Sequence, residues 1–156
     1  DLLDMFPEKS SKEREKLITK KYGSVFVIGI GHPLSSGKPH DLRASDYDDW
    51  STQTGEKTFG LNGDILVWDD VRKDVLEISS MGIRVDKQAL IKQAKLMSQE
   101  HILTQEFHSK ILDDTMPLSI GGGIGQSRLC MFFLKKAHIG EVQSSAWPTK
   151  ISLPIL

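Results

Sequence analysis

The sequence carries one cysteine, Cys130, in 156 residues. No intrachain disulfide can form, and neither a zinc ribbon nor a C-x-x-C redox site fits. That usage suits a reducing, cytosolic setting. Long apolar runs are missing as well. Stretches such as Val25–Ile30 fall well short of a bilayer, which argues against a membrane segment. No charge of one sign dominates: 20 basic against 21 acidic residues leave a net charge of −1. That excludes a general nucleic-acid coat or a basic membrane-surface helix. Arginine is scarce, five against fifteen lysines. The Walker loop is absent because Gly125-Gln126-Ser127 lacks the lysine, and G-x-G-x-x-G fails at Gln126. A nucleophile elbow, an H-E-x-x-H pair and an EF-hand loop are likewise missing. The chain opens on Asp1-Leu2-Leu3-Asp4 without initiator methionine, signal or targeting pattern, and reads as a fragment or a trimmed chain.

What is present is ordinary in bulk and uneven in detail. A charged fraction of 26% and an apolar fraction of 38% fit a globular domain. At this length about 70% of the unfolded surface can be buried, enough for one core. Residues 41–77 hold ten acids and four bases, a local −6 inside a near-neutral chain. A solvated face is the ordinary explanation; a site for a cation or an amine is the sharper one.

Residues 10–22 read as a surface helix, with a Ser10/Glu13 capping box and a Gly23 stop. Val25–Ile30 reads as a buried strand, and residues 31–60 as loop. Asp64–Trp68 and Val75–Ser79 read as two strands of a hairpin closed through Asp69 to Asp74. Lys87 to Leu112 reads as a long helix capped by Asp86. Leu90, Ala94, Met97, His101, His108 and Leu112 share its apolar side. A glycine tract at 121–125 precedes a helix over Gln126–Lys136, with Cys130 expected in the core, and Val142 begins an extended segment. The hairpin favours an α+β fold with a mixed, mainly antiparallel sheet flanked by helices.

Four of the thirteen glycines stand at Gly121, Gly122, Gly123 and Gly125, just before that helix. Glycines there admit a flat ligand, and a helix N-terminus offers N–H groups to an anion. Tight strand–helix packing would use the same residues. Arg128, one turn further on, could stack on a base or reach a phosphate, or be an ordinary surface arginine. Asp64 and Glu77, both strand-borne and expected near the open end of the hairpin, could share a magnesium ion on nucleotide phosphates, or be solvated edge acids. Ser79 and Ser80 with Gly82 and Arg84 could cradle a small carboxylate. Asp41, Arg43, Asp46, Tyr47, Asp48, Asp49 and Trp50 suit recognition of an α-amino group, with a solvated acidic loop as the plain alternative.

Gly121-Gly-Gly-Ile-Gly-Gln-Ser-Arg128-Leu-Cys-Met131 resembles motif 3 of the class II aminoacyl-tRNA synthetase catalytic fold. Three further stretches, His40–Thr52, Gly60–Trp68 and Glu77–Asp86, resemble ammonia-dependent asparagine synthetase, or aspartate–ammonia ligase. The tail His138–Gln143 with Trp147-Pro148 fits as well. Four ordered motifs over Tyr22–Pro148 are a specific signal. The resemblance implies ATP and Mg2+ as cofactors, with L-aspartate and ammonia as substrates. By that resemblance Arg128 contacts ATP above the Gly121–Gly125 floor, and Asp64 and Glu77 hold magnesium. Arg84 grips the α-carboxylate of aspartate with Ser79 and Ser80 beside it, and Arg43 and Asp48 match active-site positions for substrate or AMP. It implies a cytoplasmic homodimer without nucleic acid, in which residues 1–156 are the C-terminal half of one catalytic domain whose N-terminal half is elsewhere. A piece of an aspartyl- or asparaginyl-tRNA synthetase, or a non-catalytic nucleotide-binding paralogue, would share the same motifs.

Overall fold

The computed structural model describes residues 1–146; the Trp147-Pro148 motif lies outside the described residues. Four strands, β1 (Ser24–Ile28), β2 (Asn62–Asp69), β3 (Asp74–Ile83) and β4 (Ile120–Ile124), form one antiparallel sheet in the order β1-β2-β3-β4. The chain divides into two compact units. Of the described residues, the first comprises 1–25, 65–79 and 124–146; the second comprises 26–64 and 80–123. β2 and β3 run through both.

In the first unit α1 (Leu2–Met5) is followed by α2 (Ser11–Tyr22). Ser10 caps α2 as the sequence requires: its hydroxyl accepts from the Glu13 N–H, and the Glu13 carboxylate accepts from the Ser10 N–H at 2.9 Å. That second contact, with the Ser10 hydroxyl and Lys9, holds the Glu13 carboxyl below its ordinary value. Ile18 and Thr19 turn inward and Gly23, at φ +79°, ends the helix. The β2–β3 turn is tied by buried Asp69, whose Oδ1 accepts from the Val71 and Arg72 N–H groups. α5 (Gln126–Leu134) buries Met131. Cys130 is exposed rather than in the core: on this short helix the inward stripe is one residue wide, and position 130 lies about 100° from it. No strand follows Val142 among the described residues; Ile139–Glu141 make one 3-10 turn, and the rest of the expected extended segment lies outside them.

The second unit is built on α3 (Lys87–Leu96), capped by Asp86, whose carboxylate accepts from the Ala89 N–H at 2.8 Å. Ala89, Leu90 and Ala94 are buried, with Ile102, Leu103, Ile111 and Leu112 packed on the Val85–Ala89–Leu90 cluster. Burying a leucine such as Leu90 contributes about 2 kcal/mol. The single long helix expected over 87–112 is three pieces: α3, a 3-10 segment Glu100–Thr104 and α4 (Glu106–Leu112). Ser98, at φ +53°, breaks it, which an apolar period alone does not reveal. His101 is therefore exposed, whereas His108 is buried with Nε2 2.9 Å from Asp46 Oδ2. Trp50 anchors the β1–β2 loop. Its ring packs where a Cβ on Gly31 (φ +106°) would stand 2.7 Å away, and its indole N–H donates to the Ala44 carbonyl.

Candidate active site

The charged cluster of residues 41–49 resolves into separate tasks in the second unit. Asp49, buried, is a turn former: its oxygens accept from Ser51 N–H, Thr52 N–H and the Thr52 hydroxyl. Asp46 pairs with His108, and Asp41 accepts from the Leu42 N–H. Asp41 also lies 4.0 Å from Arg43 Nη1, and Asp48 meets Arg84. Asp48 Oδ1 accepts from Arg84 Nη1, and the backbones of Asp48 and Arg84 form an isolated antiparallel bridge, so this loop is stitched to the chain just past β3. Gly82 makes room for the carboxylate, since a Cβ there would stand 2.7 Å from Asp48 Cγ.

Arg84 is held on further sides. Its guanidinium lies 3.9 Å from the Tyr47 ring centroid and donates to the Tyr47 hydroxyl at 3.1 Å. Beneath it runs the glycine tract, where a Cβ on Gly121 would approach Arg84 Nη2 to 2.6 Å. The tract precedes a helix as expected, and residues 120–124 are strand β4, paired to β3. Its glycines differ in purpose. Gly122 is steric, because a Cβ would clash with Met81 Cβ at 2.7 Å, while a Cβ on Gly123 meets nothing within 4 Å. In the same unit Arg43 Nη2 donates to Asp64 Oδ2. Asp64 is buried and its Oδ1 has no hydrogen-bond partner, an oxygen of the kind a hard divalent cation takes. Nearby in sequence, His32 stacks on Phe59 at 3.8 Å. Burial first and the Lys92 ammonium second hold its imidazole below the ordinary histidine value.

The first unit carries the remaining motif residues. Arg128 on α5 donates to the Glu77 carbonyl at 2.9 Å and to Glu77 Oε1 at 3.2 Å. Gly125 precedes α5, and its N–H donates to the Ile78 carbonyl. Glu77 is not near the open end of the hairpin. β3 runs on to Ile83, so Glu77 lies closer to the turn; Ser79 is a strand residue as expected, and the strand continues through Ser80 to Ile83. The longer strand follows from pairing with β4 on its far side, which short-range patterning of Val75–Ser79 does not show. Ser79 is buried with an unpartnered hydroxyl, as a substrate-facing group would be. Among the described residues no group of three or more His, Cys, Asp or Glu is gathered that could hold a metal ion. Two residues escaped sequence reasoning. Tyr47, noted only as an aromatic in an acidic loop, forms one wall around Arg84. Gln93, on which the sequence carries no reading, is fully buried. A glutamine at the spacing of the Leu90–Ala94–Met97 stripe is the sequence signal that could have found it.

The aspartate-ammonia ligase (AsnA) family model matches residues 1–154. An aspartate–ammonia ligase of Bacteroides fragilis is 58% identical over 151 residues, which are 97% of this chain and 44% of that protein. One of Parabacteroides distasonis is 56% identical over the same shares. The chain thus spans under half the length of the curated relatives it matches. Among solved structures, an Entamoeba histolytica asparaginyl-tRNA synthetase superposes with TM-score 0.59 at 22% identity, covering 88% of this chain and 29% of that one. An aspartyl-tRNA synthetase of the same organism gives 0.54 at 18%, covering 85% and 24%. At those identities the likeness is one of fold: class II aminoacyl-tRNA synthetase-like α+β.

Proposed function

Since the chain belongs to the aspartate–ammonia ligase family, we propose that the protein it represents makes asparagine from L-aspartate, ammonia and ATP. In this reading residues 1–156 are the C-terminal half of one class II catalytic domain, completed by an N-terminal half, in a cytoplasmic homodimer. The observation that carries the reading is Arg84. A guanidinium held by Asp48, the Tyr47 ring and the Gly121 backbone is preset for a carboxylate, and a preset donor costs little to reorganise when charge arrives.

Arg84 takes the α-carboxylate of aspartate, with Ser79 and Ser80 as hydroxyl donors for the same substrate. Arg128 takes ATP, by its plane against the adenine or by charge on the phosphates, and Gly121, Gly122, Gly123 and Gly125 keep backbone rather than side chains along the nucleotide. An oxygen of the aspartate β-carboxylate attacks the α-phosphorus of ATP. The bond to the bridging oxygen breaks, pyrophosphate leaves, and β-aspartyl-AMP forms. Ammonia then attacks the acyl carbon, the acyl–oxygen bond breaks, AMP leaves, and the nitrogen sheds a proton to give asparagine. Asp64, with its unpartnered oxygen, and Glu77 would hold Mg2+, which supplies charge neutralisation on the phosphates. Arg43 and Asp48 act at substrate or AMP, Asp48 as the carboxylate partner of Arg84. The rest is positioning.

The full-length parent protein, given L-aspartate, ATP and ammonium, should release AMP, pyrophosphate and asparagine in equal amounts. AMP formation stimulated by tRNA and indifferent to ammonium would transfer the protein to the tRNA synthetases. Binding of ATP and aspartate without turnover would make it a non-catalytic paralogue.

A further inference from the structure

Gln93 is fully buried in the middle of α3, and its amide spends every hydrogen bond on one short stretch of the β1–β2 loop. Its Oε1 accepts from the Trp50 N–H at 2.8 Å, and its Nε2 donates to the Ser45 carbonyl at 3.0 Å and the Asp48 carbonyl at 3.1 Å. One backbone donor and two backbone acceptors fix which way the amide points. A fully buried amide is costly unless every polar atom is paired, and here all are. Neighbours reinforce the hold: Lys92 Nζ donates to the Ser51 carbonyl at 2.7 Å, and the Ser45 hydroxyl donates to Gln99 Oε1 at 2.6 Å. The clamped stretch contains Tyr47 and Asp48, the two side chains that hold Arg84.

We propose that Gln93 is a positioning residue. It fixes the 45–50 loop against α3 so that Tyr47 and Asp48 present Arg84 in one orientation to the amino-acid substrate. This rests on the proposed ligase reading for the identity of that substrate, but not for the clamp itself. Gln93 touches neither substrate nor nucleotide; its effect runs through the backbone of residues 45, 48 and 50. Methionine matches its shape and makes none of the three bonds. Glutamate matches its shape and, carried as the neutral acid between two carbonyls, keeps an acceptor for Trp50 N–H and one donor for the two that Ser45 and Asp48 require. The three side chains should therefore rank glutamine, glutamate, methionine.

The test uses the full-length parent protein as wild type, Gln93→Glu and Gln93→Met, with two readouts. Amide hydrogen exchange at residues 45–50 reads the clamp without any substrate. Exchange should speed up by about tenfold in Gln93→Met and less in Gln93→Glu, while the helical amides of α3 stay protected. Steady-state kinetics read the consequence: KM for aspartate should rise about tenfold in Gln93→Met, less in Gln93→Glu, with KM for ATP nearly unchanged. Unchanged exchange at 45–50, equal rises in both KM values, or failure of both variants to fold would each overturn the proposal and leave Gln93 a core residue only. A wild-type protein that does not use aspartate would sink the ligase reading. The exchange measurement would still decide the clamp.

Discussion

Arg84 with Asp48 in the second unit and Arg128 with Glu77 in the first are both arginine–carboxylate pairs, yet they are held very differently. The Arg84 and Asp48 side chains keep 20% and 9% of their exposure; those of Arg128 and Glu77 keep 49% and 36%. Around Arg84 stand an aromatic face, a phenolic oxygen, a glycine backbone and a carboxylate that α3 positions through Gln93. Around Arg128 the described hydrogen bonds come from one residue, Glu77, with Gly125 beside its aliphatic stem. A partly desolvated charge is worth more to a partner and is costly to strand, whereas an exposed pair contributes little and gives way easily. The first arrangement suits discrimination of a small substrate. The second suits a large polyanion that brings its own charge.

The largest effect should come from Asp48→Ala. It leaves Arg84 without its carboxylate in a mostly buried setting, at a cost of roughly 3 kcal/mol in urea unfolding, and aspartate kcat/KM should fall about a hundredfold. If it costs no more than Glu77→Ala, the contrast between the pairs is gone. Gly121→Ala should be milder, because its Cβ meets only the guanidinium end of Arg84 and leaves Asp48 in place. KM for aspartate should rise about tenfold, whereas Gly123→Ala, with nothing within 4 Å, should stay within about twofold. Equal effects from the two alanines would remove Gly121 from the Arg84 site. Arg128→Ala should raise KM for ATP several-fold while stability changes by less than about 1 kcal/mol, read from steady-state kinetics and the same unfolding curves.

The smallest effect is on pH dependence. Burial and Lys92 lower the His32 pKa in the folded chain, so the unfolded chain binds more protons just below the ordinary histidine value. The stability from neutral His32 is complete above that value and is lost as pH falls through the lowered one. Replacing His32 by Asn should flatten that part of the stability curve between about pH 7 and 5; an unaltered slope would assign the dependence elsewhere.

Much of this was legible in the sequence. The Ser10 capping box, the Gly23 stop, the Asp86 cap and the β2–β3 hairpin are local patterns, and local hydrogen-bond chemistry decides them. The full length of β3 is set by pairing with β4, distant in sequence, whereas the left-handed Ser98 and the exposure of Cys130 leave no mark in the apolar period. Arg43, Arg84 and Arg128 stood out because arginines are few and these lie among glycines and aspartates. Which acid each would meet was not readable: Asp64 lies 21 residues from Arg43, Asp48 lies 36 from Arg84, and Glu77 lies 51 from Arg128. Four aspartates in one loop looked equivalent, and only the fold separates a turn former and a histidine partner from the one that faces Arg84.

The most direct measurement is aspartate-dependent exchange of labelled pyrophosphate into ATP by the full-length protein, wild type against Arg84→Gln. Exchange in the wild type, and its loss by about a hundredfold in a folded Arg84→Gln protein that still binds ATP, is the outcome expected of a guanidinium that grips the amino acid. Undiminished exchange in that variant would contradict it.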